Sequence, residues 1–152
     1  MNTMASASIL LVEDNPMEVD LTIRAFARRM VTTTVVVARD GQEALDFFHR
    51  WDIGEPLPSV ILLDLKLPKV DGLEVLRQLK THVMYRVIPV VVLTSSQEDR
   101  DINAAYELGA NSYIVKPVDF DRFSEIVALI DTYWSALNYA PARDDLIEVN
   151  NL

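Results

Sequence analysis

The chain has 152 residues, half of them apolar, no cysteine and a net charge of −9 at pH 7. Lack of cysteine excludes a disulfide framework and a thiolate metal site, and the acidic balance argues against nucleic acid, whose phosphate backbone is held by clustered Lys and Arg. No apolar run approaches the roughly 20 residues that span a bilayer, and Met1 to Ser8 lacks the basic and apolar regions of a signal peptide. The expectation is one cytoplasmic domain that contacts neither membrane nor nucleic acid, with proteins or cations as partners.

Ser8 to Val12 reads as a short buried strand that ends on Glu13-Asp14. Asn15-Pro16 is a helix start, and Val19, Ile23, Phe26 and Met30 then recur at helical spacing, with Glu18, Asp20, Arg24 and Arg28 on the other faces. Thr32 to Ala38, rich in Thr and Val, reads as a second strand; Asp40-Gly41 turns into a helix from Gln42 to about His49. Trp51 to Pro58 has a glycine and two prolines and reads as a loop, long beside the usual about 2–6 residues.

Val60 to Leu63 is a continuous apolar run, so Ser59 to Leu63 reads as a strand buried on both faces. It ends on Asp64, with Pro68 four residues later. Asp71-Gly72 starts a helix through Leu73, Leu76 and Leu79 to Lys80, and Ile88 to Leu93 is a fourth strand ending on Thr94-Ser95-Ser96. Glu98 to Leu108 reads as a helix stopped by Gly109, with Ile102, Ala105 and Leu108 inward; Ser112 to Val115 is a fifth strand, ending on Lys116-Pro117.

The last predicted helix runs from Phe120 to Asn138 with an apolar stripe of Phe123, Val127, Ile130, Trp134 and Leu137. A second stripe, Ile126, Leu129, Tyr133 and Ala136, widens that face beyond what one core contact needs. Tyr139 to Leu152 shows no period and reads as an extended or partly disordered tail. His49 and His82 have no partners at metal spacing and are expected to be exposed.

Strands alternating with helices imply an α/β fold, a three-layer doubly wound parallel sheet with every strand's carboxyl end on one edge. That edge collects Glu13, Asp14, Asp64, Thr94 and Lys116. Alone, each has an ordinary reading: a solvated acid pair, a turn residue, a surface lysine. Their coincidence at strand ends sets those readings aside. Three crowded carboxylates repel one another, and a divalent cation resolves this; Mg²⁺ suits oxygen donors, with Asp14 and Asp64 as direct ligands and Glu13 acting through water. A carboxylate beside a metal is a nucleophile toward phosphorus, which makes Asp64 the candidate, with Lys116 as cation and Thr94 as hydroxyl donor.

Glu13-Asp14, Asp64 with Pro68, Asp71-Gly72, Thr94 and Lys116-Pro117 together resemble the receiver domain of two-component response regulators, from about Ser6 to Asn138. The resemblance implies a five-stranded sheet in the flavodoxin-like order 2-1-3-4-5 and a phosphoryl group passed from a sensor histidine kinase to Asp64. It implies Mg²⁺ held by Glu13, Asp14, Asp64 and the backbone carbonyl of Lys66, phosphate contacted by Lys116, and a cis Lys116-Pro117 peptide. Thr94 and Tyr113 would be the switch, and Lys66 and Ser96 the positions that tune phosphate lifetime.

The long Trp51 to Pro58 loop and the segment after Trp134 look similar to the small regulators paired with bacterial and cyanobacterial phytochromes. That implies a receiver over residues 1–138, a tail over 139–152, a phytochrome-type kinase as partner, and a homodimer through the fifth strand, the last helix and the tail, with Ile126, Leu129, Tyr133 and Trp134 at the interface. Tyr113 by itself reads as packing. Two other functions compete: a phosphorylation-independent binding module, which has no need of the full set of residues, and a metal-dependent phosphohydrolase of the haloacid dehalogenase type, which needs a second acid where Lys66 stands. A flavodoxin wants a hydroxyl-rich phosphate loop after the first strand, where Glu13-Asp14 repels an anion.

Overall fold

A computed structural model describes residues 8–28 and 33–141. Five strands, β1 (Ser8–Val12), β2 (Thr34–Ala38), β3 (Val60–Leu63), β4 (Val90–Thr94) and β5 (Ser112–Val115), alternate with α1 (Pro16–Ala27), α2 (Gly41–Asp52), α3 (Gly72–Thr81), α4 (Asp99–Glu107) and α5 (Phe120–Asp131). All pairings are parallel, in the order β2-β1-β3-β4-β5. This is the expected doubly wound sheet.

The apolar runs in β1, β3 and β4 arise because successive side chains point to opposite faces and both faces are covered. Leu10, Val12, Ile61, Leu63, Val90 and Val92 enter the core beneath α2, α3 and α4. Their neighbours Ile9, Leu11, Val60, Leu62, Val91 and Leu93 face the other way, against Val19 and Phe26 of α1 and Phe123, Val127 and Ile130 of α5. Helix starts are capped by side-chain oxygens: Asn15 accepts from the Met17 and Glu18 amides, Asp40 from Glu43, Asp71 from Leu73 and Asp119 from Asp121. Each such cap is worth about 1 kcal/mol and fixes where a helix leaves the carboxyl edge. Among the described residues no helix is long and apolar enough to cross a membrane.

Several boundaries differ from expectation. Helix α2 continues to Asp52, so Trp51 belongs to it and is buried. Its indole packs edge-on to Tyr85 at 5.0 Å, and tertiary contact carries the helix past the point where glycine and proline begin to dominate. His82 is half-buried instead of exposed: its ring stacks on Tyr85 at 4.4 Å, and its Nδ1 accepts from the Met84 and Tyr85 amides, which feed a short 3-10 turn over Tyr85–Val87. That turn delays β4 to Val90.

In α1, Thr22 and Ala25 share the inner face with Val19 and Phe26, while Ile23 points to solvent. Thr22 is tolerated there because its hydroxyl donates to the Glu18 carbonyl at 2.8 Å. In α4 only Ala105 of the three expected inward residues is fully buried. The last helix ends at Asp131 and gives way to a π-helical turn over Thr132–Leu137, closed by the Asn138 amide on the Tyr133 carbonyl. A π turn takes one more residue than an α turn, so the expected stripe loses register and Leu137 is 65% exposed. Met30, Thr32 and the tail from residue 142 lie outside the described residues.

Candidate functional site at the carboxyl edge of the sheet

Glu13, Asp64 and Lys116 stand one residue beyond β1, β3 and β5, Asp14 one further and Thr94 at the end of β4, and the sheet's hydrogen bonding follows the first three there. The Glu13 amide donates to the Ala38 carbonyl at 3.0 Å, Asp64 to Val12 at 3.0 Å, and Lys116 to Thr94 at 2.8 Å. The ladder thus extends under the Glu13, Asp64 and Lys116 side chains. This edge brings Glu13, Asp14, Asp64, Thr94 and Lys116 together as the sequence predicts.

Asp64 is 8% exposed. Its Oδ1 accepts from the Thr94 hydroxyl at 3.0 Å and the Lys66 amide at 3.3 Å; its Oδ2 accepts from the Lys116 ammonium at 3.2 Å. The same Nζ reaches Glu13 Oε2 at 2.7 Å and Glu18 Oε2 at 2.9 Å. Carboxylate oxygens of Glu13, Asp14 and Asp64 lie within 4.8 Å of one another. Glu13 is 2% exposed, whereas Asp14 opens to solvent.

These contacts set the protonation of the site. Burial, with a hydrogen bond to Asp64 added, pushes the Glu13 carboxyl up to about 8, against the pull of Lys116. Burial acts upward on Asp64 too, but it is outweighed by the hydrogen bond from Glu13, the Lys116 charge, the Lys66 amide and the Thr94 hydroxyl, so Asp64 is held below the usual carboxylate range. Lys116 also loses solvation, yet the charges of Asp64 and Glu13 keep it well above the ordinary lysine value. Burial thus favours the protonated form of Glu13, while the surrounding donors and charges favour the ionised form of Asp64 and the charged form of Lys116. An ionised carboxylate held by three donors and reachable from solvent on one side is a nucleophile with anion-stabilising groups already in place.

Glu18 escaped the sequence reading, because the helical pattern of α1 assigns it to a solvent face. The available signal was its place in the first turn of a helix that starts at the carboxyl edge. Tyr113 lies outside the acid cluster: it is half-buried, and its hydroxyl donates to the Ser96 carbonyl at 2.9 Å. Ser96 in turn donates to Asp101 of α4. No peptide bond among the described residues is cis, so Lys116-Pro117 is trans, against the expectation. Trans is the lower-energy isomer of an X-Pro bond by about 0.5–1 kcal/mol, and Lys116 reaches three carboxylates from it.

On the far side, Leu129 is 70% and Tyr133 50% exposed, while Ile126 and Trp134 pack partly against the α1–α5 core. Trp134 meets Tyr133 edge-on at 4.8 Å.

The sequence matches the family model for the response regulator receiver domain over residues 9–128. It is 46% identical over 134 residues to the probable methanogenesis regulatory protein FilR2 of Methanothrix harundinacea, covering 88% of this chain and 86% of that one. It is 37% identical over 136 residues to the response regulator Rcp1 of Synechocystis, covering 88% and 92%; the solved Mn²⁺-bound form of Rcp1 superposes with a TM-score of 0.81 over 90% of this chain and 99% of that chain. The phosphorylated cyanobacterial phytochrome response regulator RcpA superposes with a TM-score of 0.84 at 38% identity, over 91% of this chain and all of that one. Agreement of this extent in sequence and in fold makes the chain a member of the response regulator receiver family.

Proposed function

We propose that the chain is a response regulator that takes a phosphoryl group from a phosphohistidine of a sensor kinase onto Asp64 and signals by the conformational change that follows. The observation that carries this reading is the Asp64 carboxylate itself, ionised and gripped by the Thr94 hydroxyl, the Lys66 amide and the Lys116 ammonium. One Asp64 oxygen forms the new O–P bond as the P–N bond to the donor histidine breaks, and the histidine keeps the electron pair. Lys116 and Thr94 then meet the charge on the phosphoryl oxygens, the main demand such a transfer makes.

The donor set fits a hard divalent ion: oxygen atoms only, three acids within reach of one centre, and a Glu13 whose burial disfavours its charge unless a cation meets it. Receiver domains bind a divalent metal at such an acidic pocket, and the Mn²⁺-bound form of Rcp1 supports the same for this chain. We assign Mg²⁺ to Glu13, Asp14, Asp64 and the Lys66 carbonyl. When bound, the ion supplies positive charge to the transferring group. The protein is a signalling phosphoacceptor that assists its own phosphorylation and dephosphorylation, rather than an enzyme turning over a separate substrate.

Thr94 and Tyr113 form the proposed switch. The Thr94 hydroxyl is bound to Asp64 and would be drawn to the phosphoryl group, and the Tyr113 hydroxyl grips the segment two residues on, at Ser96. Movement of Thr94 thus reaches the α4–β5–α5 face through one short loop. The receiver occupies residues 1–138 and the tail 139–152. The likeness to the cyanobacterial phytochrome response regulator RcpA favours a phytochrome-type kinase as donor. We place the protein in the cytoplasm and assign a homodimer to Ile126, Leu129, Tyr133 and Trp134, on the ground that Leu129 and Tyr133 expose apolar surface. Lys66, standing where a phosphohydrolase of the competing type needs an acid, disfavours hydrolysis of a separate substrate.

Incubation with acetyl phosphate and Mg²⁺ is expected to add one phosphoryl group, seen by intact mass, and Asp64→Asn to abolish it. Unmodified wild-type protein under acetyl phosphate and phosphoramidate alike refutes the reading.

A further inference from the structure

The Lys116 ammonium has three N–H donors, and three carboxylates occupy them: Glu13, Glu18 and Asp64, at 2.7, 2.9 and 3.2 Å. An incoming phosphoryl oxygen therefore finds this cation fully engaged, and one of the three bonds has to open before Lys116 can meet it. Asp64 is the acceptor, so its partner has to stay close. Glu13 is 2% exposed and is one of the three acids assigned above to the metal. Glu18 differs from both: it comes from the surface helix α1, its side chain is 39% exposed, and its oxygens lie outside the acid triad. It also borders a groove of about 240 Å³ with Leu21, Ser95, Lys116, Pro117 and Phe120.

We propose that Glu18 is a positioning residue that restrains Lys116 in the unphosphorylated protein and must release it before the phosphoryl group is received. The proposal rests on Asp64 being the acceptor and deepens that reading, because it makes the rate of acceptance a property of a side chain outside the acid triad. Two effects act in the same direction. Glu18 competes for an ammonium N–H, and its negative charge opposes an anionic donor approaching the same nitrogen. The resting site sets four acids, Glu13, Asp14, Glu18 and Asp64, around one lysine, so neutralising the least buried of the lysine's partners is the smallest change that frees it.

The test measures the second-order rate of phosphorylation, at saturating Mg²⁺ and neutral pH, in wild type, Glu18→Gln and Glu18→Asp. Two donors are used: acetyl phosphate, a dianion, and phosphoramidate, which carries a single net negative charge. Glu18→Gln keeps the shape and removes the charge, and is expected to react faster with acetyl phosphate by roughly three- to tenfold and by a smaller factor with phosphoramidate. Glu18→Asp keeps the charge on a shorter arm and is expected to fall between the other two.

The difference between donors isolates the repulsion of the donor, because release of Lys116 by itself accelerates both equally. Acceleration in protein with unchanged Tm supports the restraint; a Glu18→Gln rate at or below wild type with both donors overturns the proposal. Wild type that accepts a group from neither donor refutes the acceptor reading instead; uptake by wild type and Glu18→Gln at the same rate refutes the restraint alone.

Discussion

Glu13 is the residue whose chemistry differs most between the resting site and a metal-bound one. Its carboxyl is pushed up to about 8 by burial and by the neighbouring Asp64, which favours the protonated form in metal-free protein. A metal needs the carboxylate, so ion and proton compete. Mg²⁺ affinity is expected to rise with pH by up to about tenfold per unit below pH 8 and to level off above, with a proton released on binding; isothermal titration in buffers of different ionisation enthalpy reads both. In metal-free protein the folded state binds a proton that the unfolded chain, at its ordinary value of 4.5, has lost. Stability is therefore expected to fall as pH rises from 4.5 to 8. Glu13→Gln imitates the protonated acid, so its urea midpoint should stay flatter across that window while its Mg²⁺ affinity drops. A wild-type midpoint that rises over the same range contradicts the assignment.

At the scale of elements, the start of α2 against the β3–α3 loop matters most, because that loop carries Lys66 next to Asp64. The Gly41 amide faces the Pro68 carbonyl at 3.4 Å, Lys69 sits at φ 66° and pairs with Asp40 at 3.3 Å, and a Cβ on Gly41 would lie 1.9 Å from the Val70 carbonyl oxygen. Backbone blocks that space, so Gly41→Ala has to move the loop and is expected to cost about 1–3 kcal/mol or more, with slower phosphorylation. Gly54 also has a positive φ, 108°, but its Cβ would meet nothing within 4 Å; Gly54→Ala should cost only about 1 kcal/mol of backbone strain and leave phosphorylation unchanged. Equal urea midpoints for the two variants would sink the distinction. Asp40-Gly41 was legible as a turn, yet the close approach that requires glycine depends on a loop nearly 30 residues away and was not. The end of α2 was within reach: Ala44, Phe47 and Trp51 keep helical spacing, and the glycine and prolines that follow drew the boundary too early.

Over the whole molecule, the sheet and its loaded edge could be read from sequence because each buried strand is an unbroken apolar run and each ends on a charged or hydroxyl residue. The partners that act across elements could not. Glu18 reaches Lys116 over 98 positions, and the π turn is invisible to periodicity because Tyr133, Trp134 and Leu137 keep the apolar composition of the helix before them. Leu129 of α5 and Tyr133 and Leu137 of the turn face outward on a protein whose net charge is −9. A dimer through this face sets apolar attraction against the repulsion of two like-charged protomers. Screening weakens the repulsion, with a Debye length of about 10 Å at 0.1 M salt, and leaves the apolar contact intact. Sedimentation equilibrium is therefore expected to show a dimer that tightens from low to moderate salt, the opposite of an assembly held by ion pairs. Tyr133→Glu and Leu129→Glu change exposed positions without disturbing the core and should each weaken association by about 2 kcal/mol or more, roughly thirtyfold. A wild-type monomer at every concentration and salt, phosphorylated or not, refutes the interface; a dimer that both substitutions leave intact moves it to another face.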